Sequence, residues 1–156
     1  APVPADDALY IHLAKSSVPP LKVFREAIRL HKEKHGQDAP VFLIGENPEL
    51  LSALSDQGTQ PSLPGQPAPA HMRVLAHAKN MVVDSTLVTV GAMLMNTHLQ
   101  TLYVPYWDNP RTILNSIHDQ WQYKGPAGVS VVMLHAKDYN GGTPASTIIQ
   151  YDGEVE

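Results

Sequence analysis

The sequence predicts an α/β domain built on a mainly parallel sheet with helices on both faces. Three observations predict it. Short apolar runs at residues 41–44, 81–83 and 129–134 have the length and composition of strands covered on both sides. Segments with helical spacing lie between them. Two helices, at Asn47-Pro48 and Asn109-Pro110, open with a favoured N-cap residue followed by the residue best suited to a helix's first position.

Taken in order, residues 8–14 read as a strand, with Leu9, Ile11 and Leu13 alternating against Tyr10 and His12, and Pro19-Pro20 prevents its continuation. A helix follows over about residues 20–35. Leu21, Phe24 and Ile28 recur at helical spacing beside Val23, Ala27 and Leu30, while Lys22, Arg25, Glu26, Arg29 and Lys32 fill the opposite face. Gly36 supplies its C-terminal stop. The run at 41–44 ends at Gly45-Glu46, and residues 48–56 form a helix with Leu50, Leu51 and Leu54 inward and Gly58 closing it.

Residues 57–70 hold Pro61, Pro64, Pro67, Pro69, Gly58 and Gly65, a composition that predicts an irregular exposed loop, either a lid or a spacer. Beyond it the rhythm resumes with a helix at 72–79, a buried strand at 81–83, an almost wholly apolar helix at 85–95 and a strand at 99–104. The second Asn-Pro helix turns Ile113, Leu114, Ile117 and Trp121 inward, 129–134 is a further strand, and 147–151 reads as a last edge strand. Strands and helices alternating at these spacings imply right-handed crossovers and a Rossmann-like three-layer domain.

Composition bounds the rest. The 156 residues suit one domain, because neither flank of the Pro-rich loop has enough alternating elements for its own core. With 43% hydrophobic and 17% charged residues and a net charge of −4, the chain reads as an ordinary soluble globular protein, and nucleic acid is not expected as its main partner. The absence of cysteine excludes disulfides, thiolate zinc sites and a cysteine nucleophile. The most apolar stretch, residues 81–95, is broken by Asp84, Ser85, Thr86 and Thr89, so no membrane span is expected. The opening Ala1-Pro2-Val3-Pro4 fits either a removed signal peptide or a cut within a longer polypeptide, and the compartment is left open.

In open parallel sheets, ligands bind beyond the carboxyl ends of the strands, which directs attention to residues 12–17, 45–47, 84–87 and 106–111. The turn Val83-Asp84-Ser85-Thr86, the small-residue helix containing Gly91-Ala92-Met93-Leu94 and the strand end Leu102-Tyr103-Val104-Pro105-Tyr106 stand in sequence. This order resembles the nucleotide-binding half of two-domain, GT-B-like glycosyltransferases of fucosyltransferase-like or heptosyltransferase-like type. Tyr10-Ile11-His12-Leu13 followed by Phe24-Arg25-Glu26-Ala27-Ile28 is similar to the opening of that half in fucosyltransferases. There the chain departs from the pattern. Those families continue from the His with an arginine-rich loop ending in Asp, whereas here Ala14-Lys15-Ser16-Ser17 follows, and a lysine is a point charge rather than a two-pronged phosphate clamp.

The resemblance implies a nucleotide-sugar-binding domain, with the diphosphate at the backbone N–H groups of Ser85, Thr86 and Leu87, Glu46 or Asp84 near the ribose, and His12 and Lys15 at the first strand's end. A helix N-terminus suits a diphosphate because its N–H groups are unsatisfied and its dipole is positive there. The same turn also reads as a plain cap, with Asp84 or Ser85 closing a buried helix. Tyr103, Tyr106 and Trp107 form an aromatic cluster at a strand end, fit to stack on a base or sugar or to plug the sheet. Trp107-Asp108-Asn109-Pro110-Arg111 adds an acid, an amide and a cation to it.

Other constellations point less far. His31 and His35 have metal-ligand spacing on one helix, but Lys32 stands where a zincin has Glu, so a solvated helix end is expected and no metal site. His12 and His135 suit hydrogen-bonded core positions, and Gly141-Gly142 suits a turn. No nucleophile elbow, phosphate-binding loop or dinucleotide fingerprint occurs, and no cofactor is called for. Two readings therefore stand: a donor-binding domain, whose catalysis is open and which needs a second domain, or a non-enzymatic interaction or structural module cut from a larger polypeptide, docking a protein partner through its Pro-rich loop or exposed aromatics.

Overall fold

The computed structural model describes residues 7–14, 19–45, 47–55, 59–61, 68–83, 87–107, 128–139 and 151–155. The elements are β1 (Leu9–Leu13), α1 (Leu21–His35), β2 (Val41–Gly45), α2 (Pro48–Leu54), β3 (Thr59–Pro61), α3 (Ala68–Leu75), β4 (Asn80–Val82), α4 (Leu87–Met95), β5 (Thr101–Trp107) and β6 (Ser130–Ala136). They form one six-stranded sheet of order β3-β2-β1-β4-β5-β6. Every pairing between neighbouring strands is parallel. The expected Rossmann-like architecture is therefore present.

Register assigns the two faces, because residues paired across parallel strands point the same way. Leu9, Asn80, Thr101 and Ser130 are in register, and Lys34 of α1 donates to Thr101 Oγ1 at 3.3 Å, so α1 covers that face. Tyr10, His12, Met81 and Leu102 face the other way, where His71 of α3 meets His12. β1 is buried along its whole length, as a central strand covered on both sides must be. Leu9, Ile11, Leu13, Phe24, Leu43 and Leu50 are among the fully buried side chains at the centre of the core.

The helix at Asn47 forms as its local chemistry requires. Asn47 Oδ1 accepts from Leu50 N at 3.2 Å and Pro48 occupies the first helical position. Gly36 ends α1 with a φ of 107°, and its N–H donates to Lys32 O at 2.8 Å.

Several expectations need correction. The stretch 57–70 is not irregular throughout: Thr59–Pro61 is edge strand β3, and Ala68–Leu75 is α3. Pro61 is tolerated because an edge strand leaves one row of backbone groups unpaired, and Pro69 because the first turn of a helix has no inward N–H bonds to lose. The helix expected at 72–79 lies earlier in the chain, since Asn96 Nδ2 donates to Leu75 O and Ala78 O and turns the backbone toward β4.

β5 runs past its expected end, through Pro105 to Trp107. Tyr103 O accepts from Val83 N at 3.0 Å, so alternate β5 residues turn their backbone groups toward β4, whose last paired residue is Val82. Pro105 lies beyond that pairing on the same side, and its missing N–H costs no ladder bond. β6 likewise extends to Ala136. Tyr151 is not in a strand, although Val155 bridges antiparallel to Ala136. The expected helix after Asn109, the Gly141-Gly142 turn and residues 147–150 lie outside the described residues.

Candidate functional site

β2 lies on one side of β1 and β4 on the other, so the strand order reverses between β1 and β4. A crevice opens at such a reversal because the connections leave in opposite directions, and ligands of these sheets bind there. Ile11 pairs with Val82, which sets the carboxyl ends of β1 and β4 side by side.

The β1 and β2 ends are fixed to one another at backbone level. Gly45 has a φ of 138°, and a Cβ at that position would strike Leu13 O, so only glycine allows the close approach. Next to it Asn47 Nδ2 donates to Ala14 O at 3.1 Å, while the same side chain caps α2. One amide thus ties two loops of the rim together.

His12 points from β1 toward α3 and is 6% exposed. His71, from the middle of α3, approaches it with ring centroids 6.0 Å apart and the planes inclined at 61°. His71 is 3% exposed, and its buried Nε2 has no hydrogen-bond partner among the described residues. The sequence does not single out His71, which falls between the loop expected at 57–70 and the helix expected at 72–79, and its neighbour is supplied by a distant strand.

The aromatic cluster is divided by the sheet. Tyr103 and Trp107 face α1, whereas Tyr106 faces the His12 side and stacks on His135 with centroids 4.6 Å apart and planes 10° apart. The physical reason is strand periodicity: residues one or three apart on β5 occupy opposite faces. Trp107 is 2% exposed and meets Tyr139 edge-on at 5.6 Å, and Tyr139 in turn meets Tyr151 at 5.2 Å. Burial, with Tyr151 adding to it, pushes the Tyr139 hydroxyl up to about 12. Trp107 is thus a core residue here, and its buried Nε1 has no hydrogen-bond partner among the described residues.

Leu87 is the first residue of α4, beyond the end of β4. Lys15, Glu46, Asp84, Ser85, Thr86 and Arg111 lie outside the described residues. His31 is not at a solvated helix end. It is fully buried, and Nε2–H donates to Asp7 O at 2.7 Å, because its helix position falls on the apolar face with Phe24 and Ile28. Its ring packs 4.6 Å from that of His35. Among the described residues no group of three or more potential ligands could hold a metal ion, and no helix is long and apolar enough to cross a membrane. Comparison with family models, with curated proteins and with solved structures finds no match.

Proposed function

We propose that this domain binds a nucleotide sugar in the manner of the donor-binding half of a glycosyltransferase, with the diphosphate at the N-terminus of α4. The observation that carries the reading is the strand order. The residues that the resemblance draws on are His12, next to the last residue of β1, Lys15 just after that strand in sequence, and Asp84 through Leu87 after β4, and these two strands are neighbours at the reversal. α4, which follows β4, offers an apolar helix whose first turn leaves N–H groups without intrahelical acceptors.

Calorimetric titration with uridine and guanosine diphosphate sugars tests it. The parent should bind, and a folded Thr86→Pro variant, which loses one N–H at the helix opening while keeping a helix-compatible φ, should bind at least tenfold more weakly. Absence of binding by the parent at millimolar ligand would sink the proposal. Unchanged affinity in the proline variant would move the diphosphate elsewhere.

A further inference from the structure

A second feature lies away from the crevice, on the outer side of α3 and α4. α4 is apolar nearly all round, and such a helix is normally covered on every side. Here Thr89, Val90, Ala92 and Met93 are buried, whereas Leu94 is 70% and Met95 57% exposed. Gly91 faces Met72, whose Cε would lie 3.3 Å from an added Cβ, so the two helices approach closely.

Beside Met95 a cavity of about 470 Å³ opens between α3 and the turn after α4, within the roughly 300–1,000 Å³ usual for binding sites. Met72, Ala76 and Met95 supply its apolar lining, and Arg73, His77 and His98 its polar part. Its walls are fixed to each other. Asn96 Nδ2 donates to Leu75 O at 2.9 Å and to Ala78 O at 2.8 Å, and its Oδ1 accepts from His98 N at 2.7 Å. His77 Nδ1 donates to Arg73 O at 2.9 Å, and its ring stacks on His98 at 5.5 Å. A groove held this way is preformed, so an occupant need not order it.

Charge indicates the occupant. The chain carries a net −4, yet none of the described residues that line this cavity is acidic. The Arg73 guanidinium is exposed and has no hydrogen-bond or ion-pair partner among the described residues. An unpaired guanidinium is matched by a carboxylate, and thioethers beside stacked imidazoles are matched by a large apolar or aromatic side chain. We infer that the α3–α4 groove docks an acidic, apolar peptide segment of a protein partner, seating an apolar side chain against Met72 and Met95 and a neighbouring carboxylate on Arg73. The inference is independent of nucleotide-sugar binding.

Fluorescence anisotropy with two labelled hexapeptides tests it, one alternating Glu with Leu and Phe, the other with Lys in place of every Glu. The acidic peptide should bind at least tenfold more tightly than the basic one. Arg73→Glu should reverse that order, and Met95→Lys should weaken the acidic peptide at least tenfold. Both positions are exposed, and circular dichroism checks that the variants fold. Equal binding of the two peptides, no binding at millimolar peptide, or an unaltered preference in Arg73→Glu would overturn the inference. So would a dimer seen by sedimentation that Leu94→Lys abolishes and the acidic peptide does not displace, which would assign the face to a second copy of the chain.

Discussion

At the scale of single residues, His31 couples a helix face to pH. Burial holds its imidazole below the usual histidine range, an effect that outweighs the bond to Asp7 O favouring the charged form. The unfolded chain therefore takes up a proton, near pH 6.5, that the folded protein resists. This contribution is fully present above about pH 6.5 and is lost as pH falls from there through the lower folded value. Urea unfolding at pH 7.5 and 5.0 should show stability falling toward acid, and His31→Leu, which has nothing to protonate, should show a smaller fall. An equal fall in both proteins would assign the pH dependence to other groups. The spacing of His31 to His35 and the flanking lysines hide this burial in the sequence. Its place on the stripe with Phe24 and Ile28 was the better signal.

At the scale of elements, Asn47 carries two jobs that separate by substitution. Its Oδ1 caps α2, and its Nδ2 holds the end of β1 through Ala14 O. Asn47→Ala should lose both and cost about 2 kcal/mol, whereas Asn47→Ser keeps a capping oxygen without setting a charge against Ala14 O and should cost about 1 kcal/mol less. Denaturant midpoints of the two variants measure this, and equal losses would mean that the cap contributes nothing. The Asn47-Pro48 opening was legible because capping is decided within four residues. β1, α1, β2 and β4 were legible for a similar reason: each has an apolar pattern matched to its own period. β3 was not, because Thr59–Pro61 is a strand only by virtue of its partner β2, and its composition alone spells a loop. The split of Tyr106 from Trp107 was legible in principle from strand periodicity once β5 was extended through Pro105. Of the candidate site, the sequence pointed to the ends of β1 and β4 but not to His71, whose meeting with His12 depends on a crossover between distant segments.

At the scale of the molecule, residues 151–155 join α1 to the far edge of the sheet. Lys22, in the first turn of α1, donates to Gly153 O at 2.5 Å and to Asp152 O at 3.3 Å. Tyr151 Oη donates to Lys137 O, Lys137 N donates to Glu154 O at 2.9 Å, and Val155 bridges to Ala136 at the end of β6. Through Tyr139 this segment also backs Trp107 at the end of β5. The surface ion pair of Lys137 and Glu154, 3.5 Å apart and exposed, adds little beside these bonds. Ending the chain at residue 150 removes the hydrogen bonds and one aromatic contact together, and should cost about 2 to 4 kcal/mol in urea unfolding. A second readout locates the effect. With Trp121→Phe as background, Trp107 is the sole tryptophan of the two in the chain. Its emission should shift to the red and its quenching by acrylamide should rise on truncation, because Tyr139 loses the ring behind it. A stability loss with unchanged Trp107 emission would confine the segment's role to α1 and β6, and no loss at all would show that these contacts do not hold in solution.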